Sequence, residues 1–191
     1  MTISNVFKCS VILVVLMLLG ACQTLSHTTP TAKMVDGLPR FDITGKIGVS
    51  TKTADGVQAG SAFYTWGQAD GRFGIELTGA LGVGATTITY DGKTAKLISD
   101  RTGEMTADSP ETLLFKATGW QAPINQLPFW VVGQTAPNDT ASTHDGDRLT
   151  HSTHGDWQAD FEYAKKATYP NRLVIHHADG HRVVMSITHL N

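Results

Sequence analysis

The sequence predicts a mainly β domain: a single curved antiparallel sheet of about ten strands, apolar on one face, with short helices inserted. Three observations predict it. Apolar and polar residues alternate with a period of two from residue 41 almost to the C-terminus. Turn-forming pairs such as Asp91-Gly92 and Asp179-Gly180 separate the alternating runs. One central stretch abandons alternation for helical spacing.

The strands begin with Phe41, Ile43, Ile47 and Val49, which alternate with Asp42, Thr44, Lys46 and Ser50. Ala62, Tyr64 and Trp66 share the next apolar face, and Phe73, Ile75 and Leu77 the one after, with Gln68 to Gly71 as the turn. Ile88 and Tyr90 lead into the Asp91-Gly92 hairpin. Asp108 or Ser109 can then cap a helix, with Pro110 in its first turn and Gly119 closing it. Leu113, Leu114 and Ala117 lie on one side of that helix. A shorter helix is expected from about Asn125 to Val132, where Pro128 is tolerable only in the first turn. Residues 134–146 read as a polar loop. Alternation returns with Trp157, Ala159, Phe161 and Tyr163, and a last strand carries Val183, Met185 and Ile187.

One-sided strands must bury their apolar face against something. Two short helices cannot fill so large a sheet, which points to a partly open apolar cavity; a barrel filled by its own side chains is the alternative. Tyr64, Trp66, Phe73, Ile75, Leu77, Phe161 and Tyr163 are the candidates for the cavity face, and Leu113, Leu114, Leu127 and Trp130 for its helical cover. Each of them taken alone also reads as ordinary core.

The N-terminus carries a different signal. Lys8 precedes an uninterrupted apolar run, Val11 to Leu19, which ends in Leu19-Gly20-Ala21-Cys22. The run is short of the roughly 20 residues a membrane span needs but suits a secretory signal. Small residues before a cysteine form the lipobox pattern of bacterial lipoproteins, whose thiol takes the lipid. An ordinary signal peptide with a chance cysteine is the alternative. The expected organisation is a signal peptide over 1–21, a lipidated Cys22 with a polar tether to residue 40, and a domain over 41–191. Gln23 stands where an aspartate would retain an enterobacterial lipoprotein in the inner membrane, so the outer membrane is open to it.

Composition excludes several classes. The formal charge of −2 becomes −3 once Lys8 leaves with the signal, and there is no basic stripe for nucleic acid. With Cys9 removed and Cys22 acylated, no pair remains for a disulfide. Seven of the eight histidines lie from His144 onward, including His151, His154, His176, His177 and His181. They lack accompanying carboxylate or thiol ligand spacing, so no metal is expected. Asp156, Asp160 and Glu162 alternate with aromatic residues as a wet strand face does, and no nucleophile order appears; the chain does not read as an enzyme. No phosphate-binding loop occurs, and no cofactor is expected.

Several segments together resemble the LolB family of outer-membrane lipoproteins: Gly45-Lys46-Ile47-Gly48-Val49, Ser61 through Gln68, and Leu77-Thr78-Gly79-Ala80-Leu81-Gly82. Gly119-Trp120, Pro123, Leu127-Pro128, Trp130, Gly133, and Trp157 followed by Tyr163 continue the match. The resemblance implies an unclosed half-barrel of about 10–11 strands with a short helical lid over an apolar cavity. It implies a periplasm-facing receptor that accepts acylated lipoproteins from the carrier LolA and places them in the inner leaflet of the outer membrane. Its partners would be LolA, lipoprotein clients and outer-membrane phospholipid, and it would act as a monomer. The family's membrane-insertion loop exposes a leucine, which matches Leu81 among Gly79, Ala80 and Gly82, with Ala80 in place of a proline. A plain turn with an inward Leu81 is the alternative. The stretch before Phe41 is too short for the helix many members carry there, and Thr188 and His189 stand where many have a tryptophan. Two other readings stay open: a lipid- or hydrophobe-binding lipoprotein with another task, and a β-rich envelope scaffold.

The anchor gives a first prediction. Cys22→Ala should abolish incorporation of a fatty-acid label and leave the signal uncut at that bond. Label persisting on the variant contradicts the lipobox reading.

Overall fold

The computed structural model describes residues 34–35, 37–54, 56–79, 84–119 and 121–190. Cys22, the signal and most of the tether lie outside the described residues. Two short strands come first, β1 (Met34–Val35) and β2 (Leu38–Pro39), paired with each other. Six long ones follow: β3 (Phe41–Thr53), β4 (Gly56–Ala69), β5 (Arg72–Gly79), β6 (Ala85–Tyr90), β7 (Ala95–Ser99) and β8 (Gly103–Ala107). Helices α1 (Pro110–Thr118) and α2 (Leu127–Trp130) interrupt, and β9 (Ala141–Asp145), β10 (Arg148–His154), β11 (Trp157–Glu162), β12 (Arg172–His177) and β13 (Arg182–Leu190) complete the chain.

Strands β3 to β13 form one 11-stranded antiparallel sheet in the order β8-β7-β6-β5-β4-β3-β13-β12-β11-β10-β9. Its edges, β8 and β9, do not pair with each other, so the sheet is not closed into a barrel. Two meanders, β3 to β8 and β9 to β13, meet where β3 pairs β13 from Asp42 opposite Leu190 to Ser50 opposite Arg182. The helices fall after the sixth strand of the large sheet, where the loss of alternation placed them.

Register carries the apolar side chains onto one face, because directly opposed residues point the same way. Ile43 opposes Trp66, Trp66 opposes Ile75, Ile75 opposes Ile88 and Ile88 opposes Leu97. Both helices pack on this inner face. Phe129, Trp130, Val131 and Val132 join the main core with Phe41, Ile43, Trp66, Phe161 and Leu173. Leu113 of α1 joins a second, smaller core with Ala95, Leu97 and Ala107.

Local chemistry explains the helix ends. Ser109 Oγ accepts from the Thr112 amide at 3.2 Å, Pro110 opens α1, and Gly119 closes it with φ 70° while donating to Phe115 O at 2.7 Å. α2 is shorter than the expected 125–132 because turns flank it on both sides, and Pro128 does fall at its start. Among the described residues no helix is long and apolar enough to cross a membrane.

Two segments differ from expectation. Within the presumed loop 134–146, Ala141–Asp145 forms the edge strand β9, every residue exposed. An edge strand wet on both faces has no alternation to betray it. Structure also begins before Phe41: Pro39 is fully buried, and Gln68 Nε2 donates to its carbonyl at 3.1 Å.

The seam between the meanders depends on one close approach. The Tyr64 hydroxyl crosses over Gly45 and donates to Ser186 O on β13 at 2.9 Å. A Cβ on Gly45 would lie 1.9 Å from that oxygen and 3.1 Å from the hydroxyl. Only glycine fits. Gly45→Ala should therefore lower the urea midpoint by the equivalent of about 1–3 kcal/mol or more. Gly48→Ala, on the same strand with nothing within 4 Å, should change it far less. Equal midpoints for the two variants contradict this account of the seam.

Candidate functional site

The inner face is unevenly covered. At one end α2 seals it: Trp130 is fully buried, and its Nε1 donates to Asp139 Oδ2 at 2.9 Å. The same oxygen accepts from Ala136 N at 2.9 Å and Ser152 Oγ at 2.5 Å, which ties the segment after α2 to β10. Gly133, with φ 72°, lies where a Cβ would be 2.7 Å from the Tyr163 hydroxyl, which donates to Leu149 O at 2.9 Å. Burial pushes the Tyr163 and Tyr64 phenols up from their ordinary pKa. At the other end α1 covers β7 and β8. Between the two, Ile47, Val49, Ile75, Leu77 and Ile88 are only half-buried although they share the face of buried Ile43 and Trp66.

The sequence-chosen residues fall into groups. Tyr64, Trp66, Trp130 and Phe161 are buried in the main core, and Phe73, Ile75, Leu77, Leu127 and Tyr163 pack half-buried against it. Leu113 belongs to the smaller core, and half-buried Leu114 to neither. Trp66 Nε1 is buried without an acceptor, as is orphaned Oδ1 of Asp139 without a donor. Gly79 ends β5; Ala80, Leu81 and Gly82 lie outside the described residues.

One feature escaped the sequence. A cleft of about 970 Å³ opens between α1, the 121–126 segment and the start of β11. Leu38, Phe115, Ile124, Phe129 and Trp157 give it apolar walls. Glu111, Gln121, Asn125, Gln126, Asn138 and His154 give it polar ones. Pro123 entered only through the family resemblance and Asn125 and Gln126 only as the start of an expected helix, so nothing in the sequence set this segment against α1 and β11.

The histidine and carboxylate clusters resolve into structural pairings. His177, Asp179 and His181 meet at the β12–β13 turn with ligand-capable atoms within 4.8 Å of one another. Yet His177 Nδ1 accepts from Asp179 N at 3.1 Å, and His181 Nδ1 accepts from Lys52 N at 3.2 Å. Those two Nδ1 lone pairs are engaged by backbone amides, while Asp179 is an accompanying carboxylate that the spacing was not expected to give. Asp160 pairs with His151 at 2.8 Å and Glu162 with Arg172, each across neighbouring strands on an exposed face.

The sequence profile described as "Outer membrane lipoprotein LolB" matches residues 39–189. Outer-membrane lipoprotein LolB of Pseudomonas aeruginosa is 35% identical over 147 residues, covering 74% of this chain and 70% of the relative. That of Pseudomonas savastanoi is 33% identical over 152 residues, covering 77% and 72%. That of a Marinomonas species is 29% identical over 126 residues, covering 65% of this chain and 64%, just under two thirds, of the relative. Among solved structures, a LolA superfamily protein from Nitrosomonas europaea overlays with a TM-score of 0.47 at 10% identity, covering 78% of this chain and 85% of that one.

In β13 the His189 ring packs tilted against Tyr169, ring centroids 4.8 Å apart and planes 31° apart, with Nε2 3.1 Å from Pro170 O. Burial holds its pKa below the ordinary histidine value, against the opposing pull of that carbonyl. The folded state therefore favours neutral His189, and stability should fall as pH drops below about 6.5, the unfolded value. His189→Gln should unfold with a shallower pH dependence than the parent as pH falls below about 6.5. Parallel curves for the two proteins contradict the burial argument.

Proposed function

The chain belongs to the LolB family of outer-membrane lipoproteins, and from that premise we propose that it takes acylated lipoproteins from the carrier LolA and inserts them into the inner leaflet of the outer membrane. Its place is the outer membrane, as a lipid-anchored protein; the anchor we assign to Cys22, the tether to the residues between it and Leu38, and the receiving domain to 41–191 together with the Leu38–Pro39 strand that packs on it. The observation that carries the proposal is the half-covered apolar face: Ile47, Val49, Ile75, Leu77 and Ile88 remain incompletely buried in a sheet that does not close. Tyr64, Trp66, Phe73, Phe161 and Tyr163 would form the deeper wall against which acyl chains lie, and Leu113, Leu114, Leu127 and Trp130 the cover.

Energetics favour a passive route. Each methylene withdrawn from water contributes about 0.8 kcal/mol, so two or three long chains carry on the order of 30 kcal/mol. Non-covalent protein sites saturate near roughly 20 kcal/mol. A protein can hold such a ligand until a bilayer is reachable, and then the bilayer wins. Handoff needs only a receiving face slightly better than the donor's, and no nucleotide.

Delivery requires contact with the membrane, and we assign that to Leu81 with its neighbours Gly79, Ala80 and Gly82. One leucine buried in lipid is worth about 1.5–3 kcal/mol, enough to orient a protein already anchored at the surface. A carboxylate there would keep the loop in water. A soluble form beginning after Cys22 should take an acylated lipoprotein from LolA and pass it to liposomes. Leu81→Glu should melt and take up clients normally yet lose transfer. Loss of all three would mean that Leu81 is a core residue. Undiminished transfer would remove it from the mechanism.

A further inference from the structure

The cleft beside α1 carries a consequence for selectivity, which rests on the lipoprotein-receptor reading above. Its described lining holds a carboxylate, Glu111, and no lysine or arginine. Oε1 of Glu111 is buried with no hydrogen-bond partner, an acceptor waiting for a donor. The fully buried side chain of Asp139 brings a second carboxylate behind the wall, its Oδ1 without a hydrogen bond and 4.0 Å from His154 Nδ1 on the lining. The same lining carries the carboxamides of Gln121, Asn125 and Asn138, and that of Gln126, whose Nε2 lies 3.3 Å from His154 Nδ1.

We propose that this cleft selects acylated polypeptide over phospholipid by offering carboxamides and an unpaired carboxylate where a ligand's polar part meets its acyl chains. The two amphiphiles differ there. A phosphate brings a negative charge and acceptor oxygens only; it would face Glu111 without a cation to offset the repulsion, and burying an unpaired charge is costly. A peptide next to an acylated cysteine brings neutral N–H and C=O groups. Its amides can donate to the Glu111 carboxylate, and carboxamides can both donate to and accept from its backbone. The apolar side of the same cleft, with Phe129 and Trp157, suits the start of an acyl chain. A receptor tethered in a bilayer is surrounded by phospholipid in vast excess, so rejecting phosphate keeps its apolar face free for clients.

The test uses the full mature chain, with its anchor, in a mild detergent. It is titrated with two amphiphiles that share the same spin-labelled acyl chains: a diacylglyceryl-cysteine pentapeptide of uncharged residues, and phosphatidylglycerol. Quenching of tryptophan fluorescence reports both, since Trp157 is in the cleft wall. The parent should prefer the lipopeptide by about tenfold or more. Glu111→Gln should shrink that preference several-fold, and Glu111→Lys should shrink it further or reverse it, chiefly by tightening phosphatidylglycerol. Asn125→Lys, at an exposed position on the same rim, should act in the same direction without touching a buried group. Equal affinity of the parent for both amphiphiles overturns the selectivity proposal alone, as does an unchanged preference in all the variants. Failure of the parent to bind either one overturns the receptor reading, and the selectivity proposal with it.

Discussion

A sheet that is apolar on one face and stops short of closing must have that face covered by something other than itself. This constraint governs the molecule. Eleven strands end in edges that do not meet, and α1 and α2 are too short to cover the face between them. A closed barrel would have satisfied the same alternation by packing its own side chains across the lumen. The half-buried Ile47, Val49, Ile75 and Leu77 are the residue of that unmet demand. They make an amphiphilic ligand's chains a physically reasonable partner for this face.

The cover is built in two ways, and the difference matters. α2 is tied down by polar bonds inside the core: Trp130, Ala136 and Ser152 all converge on one oxygen of Asp139. Removing that carboxylate would leave buried donors without an acceptor, each at a cost of about 1–3 kcal/mol. α1 is held by the smaller apolar cluster around Leu113, with Phe115 exposed and turned to the cleft. One wall of the cleft thus stands on a hydrogen-bonded frame and the other on a small hydrophobic contact.

Much of the fold was legible because strand alternation and turn chemistry agree. The Asp91-Gly92 hairpin is one case: Asp91 Oδ1 accepts from the Lys93 and Thr94 amides, and these bonds, that of Thr94 foremost, hold its carboxyl below the usual range. Ser109, Pro110 and Gly119 announced both ends of α1 correctly. Strand β9 was not legible, since an all-exposed edge strand is patterned like a loop. For the site, alternation identified the inner face through Tyr64, Trp66, Ile75 and Leu77, but periodicity cannot say how far each is covered. It had no means of finding the cleft, whose walls come from a helix, an aperiodic segment and the start of a distant strand. Nor could it join Tyr64 to Ser186, 122 residues away.

The β3–β13 seam also sets an order of events for the growing chain. Asp42, at the start of the sheet's first strand in sequence, pairs with Leu190, at the end of its last. Neither meander can acquire its central neighbour until β13 has emerged, because the strand that joins them is the last of the sheet's strands in sequence. Contacts of such long sequence separation form slowly, since a large loop must close before they contribute. An exported chain of this topology therefore passes through an interval in which β3 presents an unpaired edge and an uncovered apolar face. The same arrangement makes the nine residues of β13 a structural centre: a deletion that would merely shorten an edge in another sheet would here split the sheet along its middle.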